Sequence, residues 1–198
     1  MMDLKRWTAL VPIRTDDPKS RLAGILDPDA RIRLAARMAR HVLATLAQCS
    51  AVARTVVLSD DRPASAEAGW APDRGRGLNE EIAAFRREFG RGRLLVVHAD
   101  LPLLEATDIA ALLEAAENHG AALAMDRAGT GTNALALADG RAFDFHFGRE
   151  SRARHCLQDP RMPVLNPIGL CCDLDTPEDF ARLGARGCLA GLPCAPES

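Results

Sequence analysis

The chain has 198 residues, 47% of them hydrophobic and 26% charged, which fits one compact domain burying roughly two-thirds to three-quarters of its surface. Intrinsic disorder and a pure disulfide scaffold are excluded on that balance. With 25 Lys and Arg against 27 Asp and Glu the net charge is -2, so no global basic field draws nucleic acid or an anionic membrane, and any anion must be caught by a local cluster.

At the N-terminus Asp3, Lys5 and Arg6 stand where a signal peptide would place its apolar region, and no segment approaches the ~20 apolar residues of a membrane span. The expected location is the cytoplasm. Trp7 to Ile13 reads as a first strand, followed by a polar turn, Arg14 to Arg21. Asp27, Pro28 and Asp29 then supply an N-cap, a proline in the first turn and an acidic start. They lead into a helix to about Ala47 with Ile32, Ala35, Met38, Ala39, Val42 and Leu46 on one face. Thr55 to Leu58 is a second strand ending at Ser59-Asp60-Asp61. A Gly/Arg-rich loop, Asp73 to Asn79, precedes a helix to about Phe89, which Asn79, Glu80 and Glu81 are placed to cap. Leu94 to Ala99 is a further strand, delivering Asp100-Leu101-Pro102. Thr107 is read as the cap of a helix that closes near Gly120. Ala121 to Met125 and Ala134 to Leu137 follow as strands.

After Phe143 to Phe147 comes Gly148, and a short helix begins near Glu150. A final apolar run, Ile168 to Cys172, ends in Asp173-Leu174-Asp175, and Thr176, Pro177 and Asp179 start one more helix. Residues 1–186 form the domain, and 187–198 read as a loosely held tail. Strand-like runs alternating with helical spacing predict an α/β domain with a mostly parallel sheet between helices. The six cysteines have neither CxxC nor Cys/His ligand spacing, so thiols of a reducing compartment are expected and a zinc site is not.

Ligands of open parallel sheets bind outside the carboxyl ends of the strands. Arg14, Lys19 and Arg21, after the first strand, form either a polyphosphate clamp or a solvated basic turn. Asp100 follows a very apolar run and needs a partner, for which a helix cap or a metal would serve. Asp173 and Asp175 alternate along an extended segment, so both carboxylates lie on one side, as a hard cation such as magnesium requires; equally, Asp175 could cap the following helix. Thr130 to Asn133 and Gly148 to Ser151 offer hydroxyls, close backbone approach and a helix start to an anion, or are only turns. His155 beside Cys156 lacks an accompanying acid for nucleophilic catalysis. His98 reads as a strand residue.

In order along the chain, Val11-Pro12-Ile13-Arg14, Lys19-Ser20-Arg21-Leu22, Gly77-Leu78-Asn79, Asp100-Leu101-Pro102-Leu103, Gly131-Thr132-Asn133, Phe147-Gly148-Arg149-Glu150-Ser151, Arg154-His155 and Asp173-Leu174-Asp175-Thr176-Pro177 resemble the 2-phospho-L-lactate guanylyltransferase family of coenzyme F-420 biosynthesis. The resemblance runs from about residue 7 to residue 183. It implies a single three-layer nucleotidyltransferase domain, glycosyltransferase type A-like and Rossmann-like, commonly a homodimer. The implied enzyme moves GMP from GTP, with Mg2+, to a three-carbon phospho-acid: 2-phospho-L-lactate, phosphoenolpyruvate or 3-phospho-D-glycerate. Pyrophosphate is released, and neither nucleic acid nor membrane takes part.

Carried over by motif, Asp100, Asp173 and Asp175 are the metal carboxylates, Thr132, Gly148 and Ser151 the cradle of the acceptor phosphate, and Lys19, Arg21 and Asn79 the nucleotide side. Lys19 joins the carboxylates as a catalytic residue. Arg14 stands where the family has Lys, a planar fork in place of a compact ammonium, and is assigned to both substrates. The competing readings are another nucleotidyltransferase of this fold acting on a sugar phosphate or molybdopterin, and a non-catalytic GTP-binding module.

Overall fold

A computed structural model describes residues 6–14, 18–63, 68–90 and 92–185. The expected tail lies outside the described residues, as do Asp3, Lys5, Cys188 and Cys194. The strands are β1 (Trp7–Pro12), β2 (Val52–Ser59), β3 (Gly69–Pro72), β4 (Leu94–Val97), β5 (Ala121–Met125), β6 (Thr132–Leu137) and β7 (Val164–Leu165). They form one seven-stranded sheet in the order β3-β2-β1-β4-β6-β5-β7. β6 pairs antiparallel with β4 and β5, and every other pair is parallel. The sheet is therefore mixed and mostly parallel, as expected.

Among the described residues six helices accompany it: α1 (Pro28–Gln48), α2 (Leu78–Phe89), α3 (Ala106–His119), α4 (Ser151–Gln158), α5 (Ile168–Cys171) and α6 (Pro177–Ala185). The two-residue period of the strands divides the core. Ala9, Val11, Leu95 and Val97 pack with Val42 and Leu46 of α1 and Ile109 and Leu112 of α3. Leu10, Val56, Leu58, Leu94 and Val96 face the other way, onto Ile82 of α2 and Phe145 and Phe147. A third, smaller cluster joins Leu22, Leu26, Leu34, Met38, Leu174 and Leu183. It ties the segment after β1 to the last loop before α6.

Several local expectations change. The α1 cap is as expected, with the Asp27 side chain accepting from Ala30 N at 2.7 Å, but Ile32 is 51% exposed. It sits two residues from Leu34 and hence on nearly the opposite side of the helix, and the buried stripe runs through Ala30, Leu34 and Met38. The cap of α3 is Glu105 and not Thr107; Asp108 accepts from the Glu105 N–H at 3.0 Å in the return half of a capping box. Within the apolar run, Ile168–Cys171 is a helical turn capped by Cys172. β3 and β7, absent from the sequence reading, are the two sheet edges. One holds a glycine and a proline in four residues and the other is two residues long, so neither carries a strand signature, and an edge tolerates both features. The start of α6 is as expected, Asp179 accepting from Thr176 N at 3.0 Å and Oγ1 at 2.7 Å.

Candidate active site

β1 ends at Pro12, and the chain returns through Lys19 into a single 3-10 turn, Ser20–Leu22. Lys19 is left-handed, at φ 57 and ψ 37, a conformation that costs a non-glycine residue about 1–3 kcal/mol. It is held there by the Leu22 N–H, which donates to the Lys19 carbonyl at 2.8 Å, and by the burial of Leu22 in the third cluster. The result is an ammonium aimed between two carboxylates, 2.7 Å from Asp100 Oδ2 and 2.6 Å from Asp175 Oδ1. Burial pulls the Lys19 pKa down, but attraction from Asp100 and Asp175 outweighs it and holds the group above the ordinary lysine value. Burial alone would raise Asp100; Lys19 and His98 bring its pKa below the usual carboxylate value. Arg21, largely exposed, stands 3.8 Å from Asp175, a screened and weaker contact.

Leu174 is fully buried between its two aspartates, and its N–H donates to the Asp100 carbonyl at 3.1 Å. That bond joins the loop after β4 to the loop before α6. Asp173 accepts from Asn133 Nδ2 at 3.3 Å, and burial, followed by repulsion from Asp100, pushes its pKa up to about 6. Asp100 Oδ1 is buried with no hydrogen-bond partner among the described residues. A buried acceptor without a donor, beside a carboxylate that resists ionising, is a donor set that a hard divalent cation would satisfy. Among the described residues no three carboxylate, histidine or cysteine side chains form a ready-made metal cage. The reason is visible in Lys19, whose ammonium takes the space between Asp100 and Asp175. Residues fit for magnesium are thus present: Asp173 is repelled by both Asp100 and Asp175, and Lys19 bridges the latter two.

A cavity of about 760 Å³ opens above these groups. Its wall follows the carboxyl ends of four neighbouring strands: Arg14 after β1, Leu58 on β2, Asp73 after β3, and His98 and Asp100 after β4. Ala35 and Met38 of α1 close one side. The loop after β3 is clamped by Glu81, which is 1% exposed. Glu81 accepts from Arg74 N at 2.9 Å, Arg76 N at 3.1 Å and the Arg76 guanidinium at 2.6 Å. The Arg76 hydrogen bonds bring its pKa down to about 2 despite burial.

Thr132, Gly148 and Ser151 lie outside this cavity and gather around the start of α4. Ser151 N donates to Gly148 O at 3.2 Å and Arg152 N to Thr130 O at 3.0 Å. Gly148 has φ +115 and open space where a Cβ would project, so the position demands glycine. Ser151 is fully buried and its hydroxyl has no partner among the described residues. One turn further, His155 lies 3.1 Å from Thr132 Oγ1 through Nδ1 and accepts from His146 N at 2.9 Å through Nε2. The latter bond fixes the tautomer: the ring proton is on Nδ1 and goes to Thr132, whose own hydroxyl proton is left free to donate. Burial brings the His155 pKa down to about 4, so the ring is neutral near pH 7.

Asn79, expected on the nucleotide side, is bound instead to this half. Its side-chain oxygen accepts from Phe147 N at 2.7 Å and its amide donates to Phe147 O at 3.1 Å. The two halves meet where Asn133, next to Thr132, reaches Asp173, and where His98 packs on Phe147 at 5.4 Å. Sequence reasoning gave Asp73 no role because β3 went unread, read Glu81 only as part of a helix cap, and placed His98 in a strand that ends one residue earlier. For Asp73 and His98, position just after a strand end was the available signal.

The family described as "Guanylyl transferase CofC like" matches residues 7–187. A phosphoenolpyruvate guanylyltransferase of Rubrobacter xylanophilus is 40% identical over 194 residues, covering 90% of this chain and 94% of that protein. One of Sphaerobacter thermophilus is 38% identical over 191 residues, covering 90% and 92%. Among solved structures, 2-C-methyl-D-erythritol 4-phosphate cytidylyltransferase from Thermus thermophilus superposes with a TM-score of 0.59 at 15% identity, over 91% of this chain and 98% of that one. The last is a likeness of fold.

Proposed function

The chain belongs to the CofC-like guanylyltransferases, and from that membership we propose that it transfers GMP from GTP to the phosphate of phosphoenolpyruvate or a close three-carbon phospho-acid, for coenzyme F-420 biosynthesis. It is a nucleotidyltransferase, and the similar proteins bear the name phosphoenolpyruvate guanylyltransferase. The observation that carries the reading is the Lys19 ammonium fixed between Asp100 and Asp175 at the wall of the cavity, beside an unpartnered Asp100 oxygen.

An oxygen of the acceptor phosphate forms the new bond to the α-phosphorus of GTP as the bond to the bridging oxygen breaks, and pyrophosphate leaves with that electron pair. The attacking phosphate is already largely ionised at neutral pH, so no general base is required, in keeping with a site whose buried histidine is tied to a threonine. What the reaction needs is relief of anion-anion repulsion and alignment. Lys19, held by two carboxylates, supplies a fixed positive charge, while the exposed Arg14 at the cavity wall and Arg21 beside Asp175 supply further ones. The acceptor phosphate is assigned to the Gly148 turn, behind which Thr132 and Ser151 are buried, and Asn79 holds that turn in place. Asp100 and Asp173, with Asp175 beside them, are the residues that would hold Mg2+. Bound there, the ion would neutralise charge on the phosphates. The planar fork of Arg14 selects among acceptors that differ by a methyl, a methylene or a hydroxyl-bearing arm.

The test is pyrophosphate release from GTP and magnesium with 2-phospho-L-lactate, phosphoenolpyruvate and 3-phospho-D-glycerate in parallel, each product checked by mass. A guanylylated product from phosphoenolpyruvate is expected. Release of pyrophosphate with a sugar phosphate and none of these acids would overturn the reading.

A further inference from the structure

We propose that Asp73 reads the Watson–Crick edge of the purine and makes the enzyme choose guanine; the proposal rests on the guanylyl-transfer reading above. The cavity spans the ends of β3, β2, β1 and β4 in that spatial order. Adjacent strands are ~4.8 Å apart, so its two ends are separated by about 14 Å, comparable to the length of a purine nucleoside triphosphate. The β4 end holds Asp100 and Lys19, the groups that manage phosphate charge. The β3 end, where the base must then lie, holds Asp73.

Of the described carboxylates on the cavity wall, Asp100 and Asp175 are both paired with Lys19, whereas Asp73 is not. Asp73 is half-buried and its position is fixed. Its N–H donates to Ser59 O at 2.8 Å, and its Oδ1 accepts from Gly75 N at 2.8 Å. The following residues are pinned by Glu81. Each carboxylate oxygen has a second lone pair, so both can still accept. Guanine offers paired donors, N1–H and the N2 amine, to such a fork; adenine presents an acceptor at N1 and has no C2 amine, so it would leave the carboxylate half unpaired. Pro12, Ile13, Leu58 and Leu78 give the flat faces of the base an apolar bed. A site that hydrogen-bonds a donor rejects an analogue lacking it by large factors.

The experiment measures equilibrium binding of GTP, ATP and xanthosine triphosphate, with magnesium, to the full chain and to Asp73→Asn, together with turnover of each nucleotide. Xanthine has a carbonyl at C2, to which an asparagine amide can donate while its oxygen accepts from N1–H. The wild type is expected to prefer GTP, and the variant to shift the GTP-to-xanthosine-triphosphate ratio at least tenfold toward the latter. A ratio within about twofold of wild type overturns the assignment, whether the variant stays active or weakens equally toward every nucleotide, since a merely structural role would lower all of them together. A wild type that binds GTP tenfold or more over ATP but guanylylates none of the acids brings down the acceptor reading while leaving the base assignment to be judged on the binding ratio. A wild type with no preference for GTP over ATP overturns both.

Discussion

Leu22 and Leu174 share the small buried cluster beneath the candidate site, and through it Lys19 and Asp175, 156 residues apart in sequence, meet at 2.6 Å. Leu174 adjoins Asp175 and Leu22 follows Lys19 by three residues, and both charged groups line the cavity, so burial of the apolar side chains is what aims them. Leu174→Ala is expected to lower stability by about 2–5 kcal/mol, the usual cost of emptying a filled core position. It should also reduce kcat although Leu174 touches no substrate, because the loop carrying Asp175 loses its anchor. Denaturant unfolding and steady-state kinetics check this; unchanged kcat in a folded variant would separate the cluster from the site.

Lys19→Met removes the charge and keeps most of the stem. The Lys19 side chain is 9% exposed, whereas Asp100 and Asp175 are 23% and 39% exposed. The destabilisation should therefore fall below that of a fully buried pair, at about 1–3 kcal/mol. Turnover should fall by roughly a hundredfold or more, the scale of losing one fixed electrostatic group. Asp100→Asn should lose activity on the same scale while the chain stays folded. Pyrophosphate release alongside circular dichroism distinguishes these outcomes from simple unfolding.

Glu81 does not line the cavity itself but clamps the loop that does. Glu81→Gln is expected to lower stability by about 1–2 kcal/mol through loss of charge-assisted hydrogen bonds. KM for GTP should rise several-fold with kcat nearly kept. The folded pKa of about 2 lies below the ordinary carboxylate value, so the Glu81 contribution is present near neutrality and is lost as pH falls through about 2. A parallel rise in KM for the acceptor would show that the loop serves both substrates.

His155 and Asp173 oppose one another in acid. His155 is held down near 4, so its contribution to stability is present above the unfolded value of about 6.5 and disappears as pH falls toward 4, by up to about 3 kcal/mol. Asp173 is held up near 6, so its contribution is present below the unfolded value of about 3.9 and is lost as pH rises through 6. The wild-type profile between these limits should be nearly flat. Removing one partner exposes the other: His155→Gln should gain stability relative to wild type as pH drops from 7 to 5. Chemical denaturation at both pH values measures the difference, and a wild-type advantage that is the same at each pH would contradict it.

Much of the layout is local and was therefore legible in the chain itself. Strand β1 and helix α1 with its Asp27 cap follow from apolar periodicity and from side chains that bond their own neighbours. So does the Thr176–Asp179 start of α6. The alternation of such segments specifies a mostly parallel sheet. Where periodicity is short or broken it carries less, and the edge strands β3 and β7 were invisible; with β3 went Asp73, because a residue can be placed at a strand's end only if the strand is seen.

The motif residues Lys19, Asp100, Asp173 and Asp175 could be named from sequence, but their partnership could not. Spacing along an extended segment put Asp173 and Asp175 on one side and invited a cage of three carboxylates. Packing of Leu22 against the third cluster instead drives a left-handed Lys19 between Asp100 and Asp175. In the same way Asn79, which heads a helix in sequence, spends its amide on Phe147, and His155 takes a fixed tautomer from a backbone N–H that only the fold brings near. Local propensity chooses the elements; the pairing of charges across long sequence separations is decided by which apolar side chains share a core, and that is a property of the assembled fold.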